Sequence, residues 1–333
     1  MQLLDYTQAE GVNAEISEKQ PIIVLTGPTA VGKTRLSLML AHAVGGEILS
    51  ADSMQVYRGL DIGSAKILPN EQDGIPHHLI DVLDPDEYFD VSRFQQLAET
   101  AMQEIWSRRN IPIITGGTGF YIQAVIRGID FTESGGESSL RTGWLELAEQ
   151  KGPDALHERL KEVDPGSASA IHPNNVKRVI RALEFYQQTG TPISRHNKMQ
   201  QQKASPYNLA YFVLTDDRSV LYEQIDGRVD EMIRDGLEQE VRALYDRGLT
   251  ENLTSMKAIG YKEFFPYFRG EYSLQTAIHL IKQNTRHYAK RQLTWFRREP
   301  DTIWIDKRDY GRDDLRILDE ILRVLREKRI LKA

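Results

Sequence analysis

The sequence predicts an α/β protein: a parallel sheet flanked by helices, carrying an all-helical insertion. Three observations support this. Residues 27 to 34 read Gly-Pro-Thr-Ala-Val-Gly-Lys-Thr, between an apolar run and a helical stripe. Strand-length apolar runs alternate with helix-period segments from Pro21 to about Phe131, the pattern of parallel strands joined by crossover helices. From about Thr132 to Pro206 strand signals stop, and they return at Leu209 to Leu214.

In chain order, Ile22-Ile23-Val24-Leu25 predicts a buried first strand. Leu36, Leu40, Ala43 and Val44 form the stripe of the following helix, which Gly45 and Gly46 close. Glu47 to Leu49 is a second strand ending at Ser50-Ala51-Asp52-Ser53. Asp90 or Ser92 can cap a helix bearing Phe94, Leu97, Ala101, Met102 and Ile105. Ile111 to Ile114 is a strand ending at Thr115-Gly116-Gly117-Thr118-Gly119. Ligands in such sheets sit beyond the strand carboxyl ends, so the loops at 27–34, 52 and 118 are expected around one crevice.

The loop at 27–34 is a complete phosphate-binding pattern: Gly27, four variable residues (Pro28, Thr29, Ala30, Val31), then Gly32, Lys33 and Thr34. The strand before it and the helix after it make the signal specific and the sheet P-loop NTPase-like. Glycines let backbone N–H groups close around phosphate oxygens, and the helix N-terminus adds partial positive charge. Lys33 can neutralise the outer phosphate, and the Thr34 hydroxyl can ligate Mg2+.

Within 132–206, Ser134 to Ser139 is a loop by composition, and helical patterns follow at Trp144–Gln150, Pro153–Val163 and Asn175–Gln188. Asn174 is a candidate cap for the last. No acid occurs from Phe185 to Thr215 among Arg195, Lys198 and Lys203; this is a local basic surface or a solvated loop. The division is therefore a leader at 1–20, a core of 21–131 plus 207–333, and an insertion at 132–206. Farther on, Ile225, Val229, Met232 and Ile233 form one helical stripe, and Leu274, Ile278, Ile281 and Tyr288 another. The segment Thr285 to Gln292 is densely basic and is followed by Trp295, Phe296, Arg297 and Arg298. Such interleaving suits RNA contacts, and equally a solvated helix with its aromatics in the core. Thr302 to Ile305 is a last strand and Leu315 to Leu325 a closing helix.

Composition sets outer bounds. A chain of 333 residues, 40% hydrophobic and 27% charged, suits a globular protein of about two domains. No apolar run approaches the ~20 residues of a membrane span, and the acidic first twenty residues are no secretory or transit signal. With no cysteine, disulfides, thiolate nucleophiles and cysteine-bound zinc are excluded, and a cytoplasmic setting is expected. The net charge of −6 does not itself suggest a nucleic-acid binder.

Together the motifs resemble the tRNA dimethylallyltransferase (tRNA isopentenyltransferase) family, over about Pro21 to Arg298. They are GPTAVGKT at 27–34, ADSMQVYRGLDIGSAK at 51–66, PHHLID at 76–81, GGTGFY at 116–121, NNVKRVIRALE at 174–184, AIGYKE at 258–263 and TRHYAKRQLTWFR at 285–297. Ser64 stands where the family usually has Thr, and Asn175 where Asp is common; Asn175 is expected to cap its helix nearly as well. Lacking the cysteines of a zinc-finger tail, the chain looks like the compact bacterial type.

The resemblance implies transfer of a dimethylallyl group from dimethylallyl diphosphate to the exocyclic N6 amine of the adenosine 3′ to the anticodon. The acceptors are tRNAs reading codons that start with U, and diphosphate is released. It implies Asp52 as general base, the loop 27–34 as donor site, and Arg228 as a donor-binding arginine. Lys33, the N–H groups of Gly32 to Thr34, and Mg2+ on Thr34 would stabilise the leaving group. The adenine must be flipped out of its stack. Asp52, Ser53, Met54 and Gln55 match the segment touching it, with Ser53 and Gln55 reading its edge and Thr118 at the pocket mouth. Arg141 and the helix segment Lys177, Arg178, Val179, Ile180 and Arg181 match the tRNA-binding region, and Arg286 to Arg298 would meet the stem from the core side. His77 matches a histidine near the site, while His78 could equally be packing. A monomer bound to tRNA, with no membrane partner, is expected. The rival readings are an ATP-dependent small-molecule kinase using Asp52 on a hydroxyl, an RNA-binding nucleotide switch, and a prenyltransferase acting on free adenosine phosphates. The basic insertion favours tRNA over a small acceptor, and Thr-Gly-Gly after Ile114, where a hydrolytic switch needs Asp, disfavours the switch.

Overall fold

The computed structural model describes residues 19–131, 139–201 and 203–331. Residues 1–18 and 132–138, which hold most of the expected leader and of the expected loop at Ser134 to Ser139, lie outside the described residues. Among the described residues, six strands form one parallel sheet: β1 (Pro21–Thr26), β2 (Gly46–Ser50), β3 (His77–His78), β4 (Ile111–Gly116), β5 (Asn208–Thr215) and β6 (Thr302–Asp306). Their order is β3-β2-β4-β1-β5-β6, with Ile23 opposite both Ile113 and Ala210. The helices are α1 (Lys33–Val44), α2 (Val91–Ser107), α3 (Gly119–Arg127), α4 (Ser139–Val163), α5 (Pro165–Ala170), α6 (Val176–Thr189), α7 (Ile193–Gln201), α8 (Arg218–Arg234), α9 (Leu237–Asp246), α10 (Phe264–Phe268), α11 (Leu274–Phe296) and α12 (Asp314–Glu327).

The first strand is apolar without alternation because both faces of the sheet are covered. Ile22 and Val24 pack with residues of α2, α3 and α9 to α11. Ile23 and Leu25 point the other way, onto α1 and α12. In α1 the inward set is Leu36, Ser37, Leu40 and Ala41; Ala43, expected inward, is exposed, since the stripe drifts one position along the helix. Asp90, not Ser92, caps α2 by accepting from the Arg93 N–H.

Residues 139–201 hold four helices and no strand. The two expected helices at 144–150 and 153–163 are one element, α4, broken at Gly152, where φ is 82° ahead of Pro153. The N-cap of α6 is Asn175, not Asn174, and its side chain makes no capping bond. The helix α7 goes beyond the sequence expectation. Its sequence is mostly polar, and Asp164 holds it in place by accepting from the Ser194 N–H at 3.0 Å and the Ser194 hydroxyl at 2.5 Å. Leu156, Leu160, Val179, Ile180 and Leu183 form this region's own apolar cluster. That corrects one expectation. The Val179 and Ile180 side chains are buried and cannot touch RNA; the i, i+3, i+4 spacing turns them inward and leaves Lys177 and Arg178 exposed.

Candidate active site

The register pairs Thr26 with Gly116 and Ser50 with Thr115, so the strands β1, β2 and β4 end side by side. The three loops that follow enclose a cleft of about 850 Å3, lined by Lys33, Thr34, Asp52, Gly117 and Arg228 among others.

The phosphate loop is built as the motif requires. A Cβ on Gly27 would come 2.5 Å from the Leu214 carbonyl oxygen, at a φ of 149°. Ala30 takes a left-handed φ of 65°, the strain expected where a backbone is shaped for a ligand. Gly32 precedes α1 with no capping side chain, so the first-turn N–H groups stay available to an anion. The Lys33 ammonium donates to the Gly27 and Pro28 carbonyls at 3.1 and 2.8 Å. Burial, then the Arg228 guanidinium, depresses its pKa to about 7. The Thr34 side chain is exposed at the cleft.

Asp52 follows β2 and accepts from the Met54 N–H at 2.9 Å. Burial raises its carboxyl above the ordinary value; the Met54 N–H, Lys33 and Arg228 pull the other way without cancelling it. Arg228, on α8, is itself depressed by burial and held up by Asp52. The cleft therefore sets one carboxylate between two cations in a poorly solvated place, an arrangement that marks functional sites. Replacing Arg228 with alanine is expected to raise KM for an anionic ligand of the loop, chiefly by losing ground-state attraction; steady-state kinetics at fixed acceptor measures it, and unchanged donor kinetics would exclude the role.

Ser53 and Met54 line the cleft. Gln55 does too, but its amide is committed: it accepts from the Ser50 hydroxyl at 2.7 Å and donates to the Ser64 and Ala65 carbonyls at 3.3 Å each. It thus shapes the wall, and a role in reading a base requires these bonds to open. Thr118 precedes α3, and its hydroxyl is buried next to that of Tyr288. The Tyr288 hydroxyl is pushed up to about 12, first by burial. His77 borders the cleft and bonds to the Ile75 carbonyl at 2.8 Å, and burial lowers its pKa. His78 meets Glu47 at 2.7 Å, where Arg108 and Asn110 also converge, a structural assembly.

Several residues that shape this region lie outside the sequence expectation. Glu240 accepts from the N–H groups of Asp61, Ile62 and Gly63 at 3.0, 2.7 and 3.1 Å, and from the Tyr261 hydroxyl at 2.6 Å. Lys66 is buried between Asp61, Asp81 and the Tyr57 carbonyl at 2.5, 2.6 and 2.8 Å. Together they fix the loop 61–66 that walls the cleft. Lys66 and Tyr261 lie inside conspicuous sequence motifs, but Glu240 gives no signal beyond a helical pattern.

The basic residues divide by location. Arg141 stands 4.0 Å from Glu184. Burial and then Asp90 raise the Tyr88 hydroxyl, on the core loop before α2, and Arg141 and Arg181 come close enough to offset part of that rise. On α11, Arg286 is tied to Asp226 at 2.6 Å and so joins α11 to α8. The outer side of α11 has a groove of about 450 Å3 lined by His287, Lys290, Arg291, Thr294, Trp295 and Arg298. Arg291 also reaches the cleft. Phe296 lies in the core, while Trp295 packs edge-on to Phe120. No helix among the described residues is long and apolar enough to cross a membrane.

A parallel sheet with a glycine-rich anion loop after its first strand, and a half-buried carboxylate across from it, defines a phosphate-loop protein with a candidate acid–base group. Comparison with known proteins sharpens that class. A family model described as IPP transferase matches residues 55–299, and one described as isopentenyl transferase matches 20–85. A protein of Lachnoclostridium phytofermentans called tRNA dimethylallyltransferase is 54% identical over 94% of this chain and 100% of its own. One of the same name from Geobacillus thermodenitrificans is 50% identical over 94% and 99%. The crystal structure of the full-length tRNA isopentenylpyrophosphate transferase from Bacillus halodurans aligns with a TM-score of 0.70 at 45% identity, covering 94% of this chain and 99% of that one. A eukaryotic dimethylallyltransferase acting on tRNA aligns at 0.76 and 32% identity, over 86% and 74%. The chain belongs to the IPP transferase family.

Proposed function

We propose that this protein transfers the dimethylallyl group of dimethylallyl diphosphate to the N6 amine of the adenosine 3′ to the anticodon in tRNAs reading codons that start with U. The observation that carries the reading is the cleft itself, where an anion-binding loop faces a carboxylate of raised pKa in a chain of this family. The loop 27–34 and Lys33 hold the donor diphosphate, with Arg228 lining the same cleft. The adenine amine is a weak nucleophile because its lone pair is delocalised into the ring. Asp52 takes its proton as the N–C bond forms and the C–O bond to diphosphate breaks, a contribution of about 10²–10⁴. The negative charge left on the diphosphate is met by Lys33 and the first-turn N–H groups of α1. The exposed Thr34 hydroxyl would hold Mg2+, an ion that needs few protein ligands; bound there, it would help neutralise the leaving group. Outside the cleft, the groove on α11 suits RNA phosphates, and Lys177, Arg178, Arg181 and Arg141 suit the anticodon stem.

A pH profile follows. Asp52 works only as the carboxylate, so kcat/KM falls as pH drops through its raised pKa. Lys33, with a free-enzyme pKa of about 7, must be charged to hold diphosphate; above that pH, donor binding requires proton uptake and weakens. Lys33→Arg, which stays charged, should remove the alkaline limb from a kcat/KM profile for the donor, and its persistence would exclude Lys33 as the origin. The function is tested by offering labelled donor with unmodified tRNA and, separately, with AMP. Label in tRNA alone is expected; label in AMP alone would assign the free-nucleotide acceptor.

A further inference from the structure

Gln292, on α11, is buried and uses both ends of its amide. Its Oε1 accepts from the Thr29 N–H of the phosphate loop at 3.0 Å, and its Nε2 donates to the Gly117 carbonyl at 3.0 Å. The loop after β4 is in turn zipped to the segment bearing Asp52: the Thr118 N–H donates to the Ala51 carbonyl at 3.1 Å, and the Ala51 N–H to the Thr115 carbonyl at 2.7 Å. Gly116 lies so close that a Cβ there would come 2.3 Å from the Ala51 oxygen. Thr29, Gln292, Gly117, Thr118, Ala51 and Asp52 therefore form one linked path from the anion loop to the carboxylate. Gln292 is the bridge in that path not made by backbone alone.

We infer that Gln292 is a positioning residue: it sets the separation between the phosphate loop and the Asp52 segment, and thus the register of donor and acceptor for transfer. This deepens the proposed function and rests on it. The Thr29 N–H is already satisfied by the amide, so Gln292 does not compete with a phosphate for the N–H groups of residues 32 to 34. Its effect belongs to the geometry of the reacting atoms, where a misplacement of about 1 Å can cost about 10² in rate. Gly117 offers an independent handle, because a Cβ there would meet Gln292 Nε2 at 2.0 Å. An alanine at 117 therefore attacks the same bridge from the other side.

The test compares wild type, Gln292→Met, Gly117→Ala and the double variant in single-turnover prenyl transfer to tRNA. Donor affinity is followed with inorganic diphosphate and tRNA affinity by filter binding. Methionine keeps the length and removes both hydrogen bonds. Gln292→Met should slow the single-turnover rate about tenfold or more while both affinities stay within about threefold. The double variant should be no slower than the worse single one, since residues acting through one bridge do not add. A Gln292→Met rate within about twofold of wild type, equal losses in rate and both affinities, or additive losses would each overturn the inference. If Gly117→Ala does not fold, Gln292→Glu replaces it: it keeps the bond from Thr29, loses the one to Gly117, and should again slow transfer. A wild-type enzyme that moved no prenyl group to tRNA would instead sink the proposed function.

Discussion

Asp52→Ala is expected to lower kcat by about 10² or more, as loss of a general base does, with tRNA affinity nearly unchanged. The effect should be visible in single-turnover transfer, where product release cannot mask it. Asp52 also makes a thermodynamic prediction that separates a base from a structural carboxylate. Its pKa is raised on folding, so the ionised form is less stable in the folded protein than in the unfolded chain. Above the raised pKa that group opposes folding; below the unfolded value it does not. Asp52→Asn should therefore leave Tm at neutral pH equal or higher while abolishing most activity, the trade expected of a functional group held against its own solvation. An Asp52→Asn protein with near-normal kcat, or one markedly less stable, would show a carboxylate placed for structure.

The second large effect is expected from the helical region. Changing Lys177, Arg178 and Arg181 together to Gln should weaken tRNA binding and flatten its salt dependence. The log–log slope should fall by roughly 0.7–0.9 for each RNA phosphate that these side chains neutralise. Lys177 and Arg178 are exposed on the first turn of α6, and Lys177 and Arg181, four apart, share its face. Their neighbours Val179 and Ile180 anchor the same turn in the apolar cluster, so the basic side chains stand on a rigid base. Affinity for inorganic diphosphate should not move, because the phosphate loop lies on the sheet. A triple variant with wild-type affinity and salt slope would send the RNA path elsewhere.

How far these results are visible in the sequence depends on the distance over which each signal acts. The strands β1, β4 and β5 are legible because burial on both faces leaves unbroken apolar runs. The phosphate loop is legible because its backbone geometry demands glycine at 27 and 32. β3 is not, since two histidines at a sheet edge, held partly by Glu47, carry no strand pattern. α7 is hidden because its position depends on Asp164, 30 residues away. The site divides in the same manner. Lys33 and Asp52 announce themselves by motif and strand end, and the family resemblance points to Arg228. Glu240 and Gln292 act on loops 179 and 263 residues away in sequence, and a single sequence does not show which loop a helical Glu or Gln will meet. Val179 and Ile180 err in the opposite direction: resemblance marks a segment, and helical periodicity decides which of its side chains face outward.

The most direct test of the account is where the transferred group ends up. Unmodified tRNA with an anticodon reading a codon that starts with U, incubated with the protein, dimethylallyl diphosphate and Mg2+, then digested to nucleosides, should yield N6-dimethylallyladenosine. It should come from the position 3′ to the anticodon alone, with one diphosphate released per group transferred. Product at other adenosines, or phosphate transfer from ATP with no prenylated nucleoside, would contradict the assignment of this cleft.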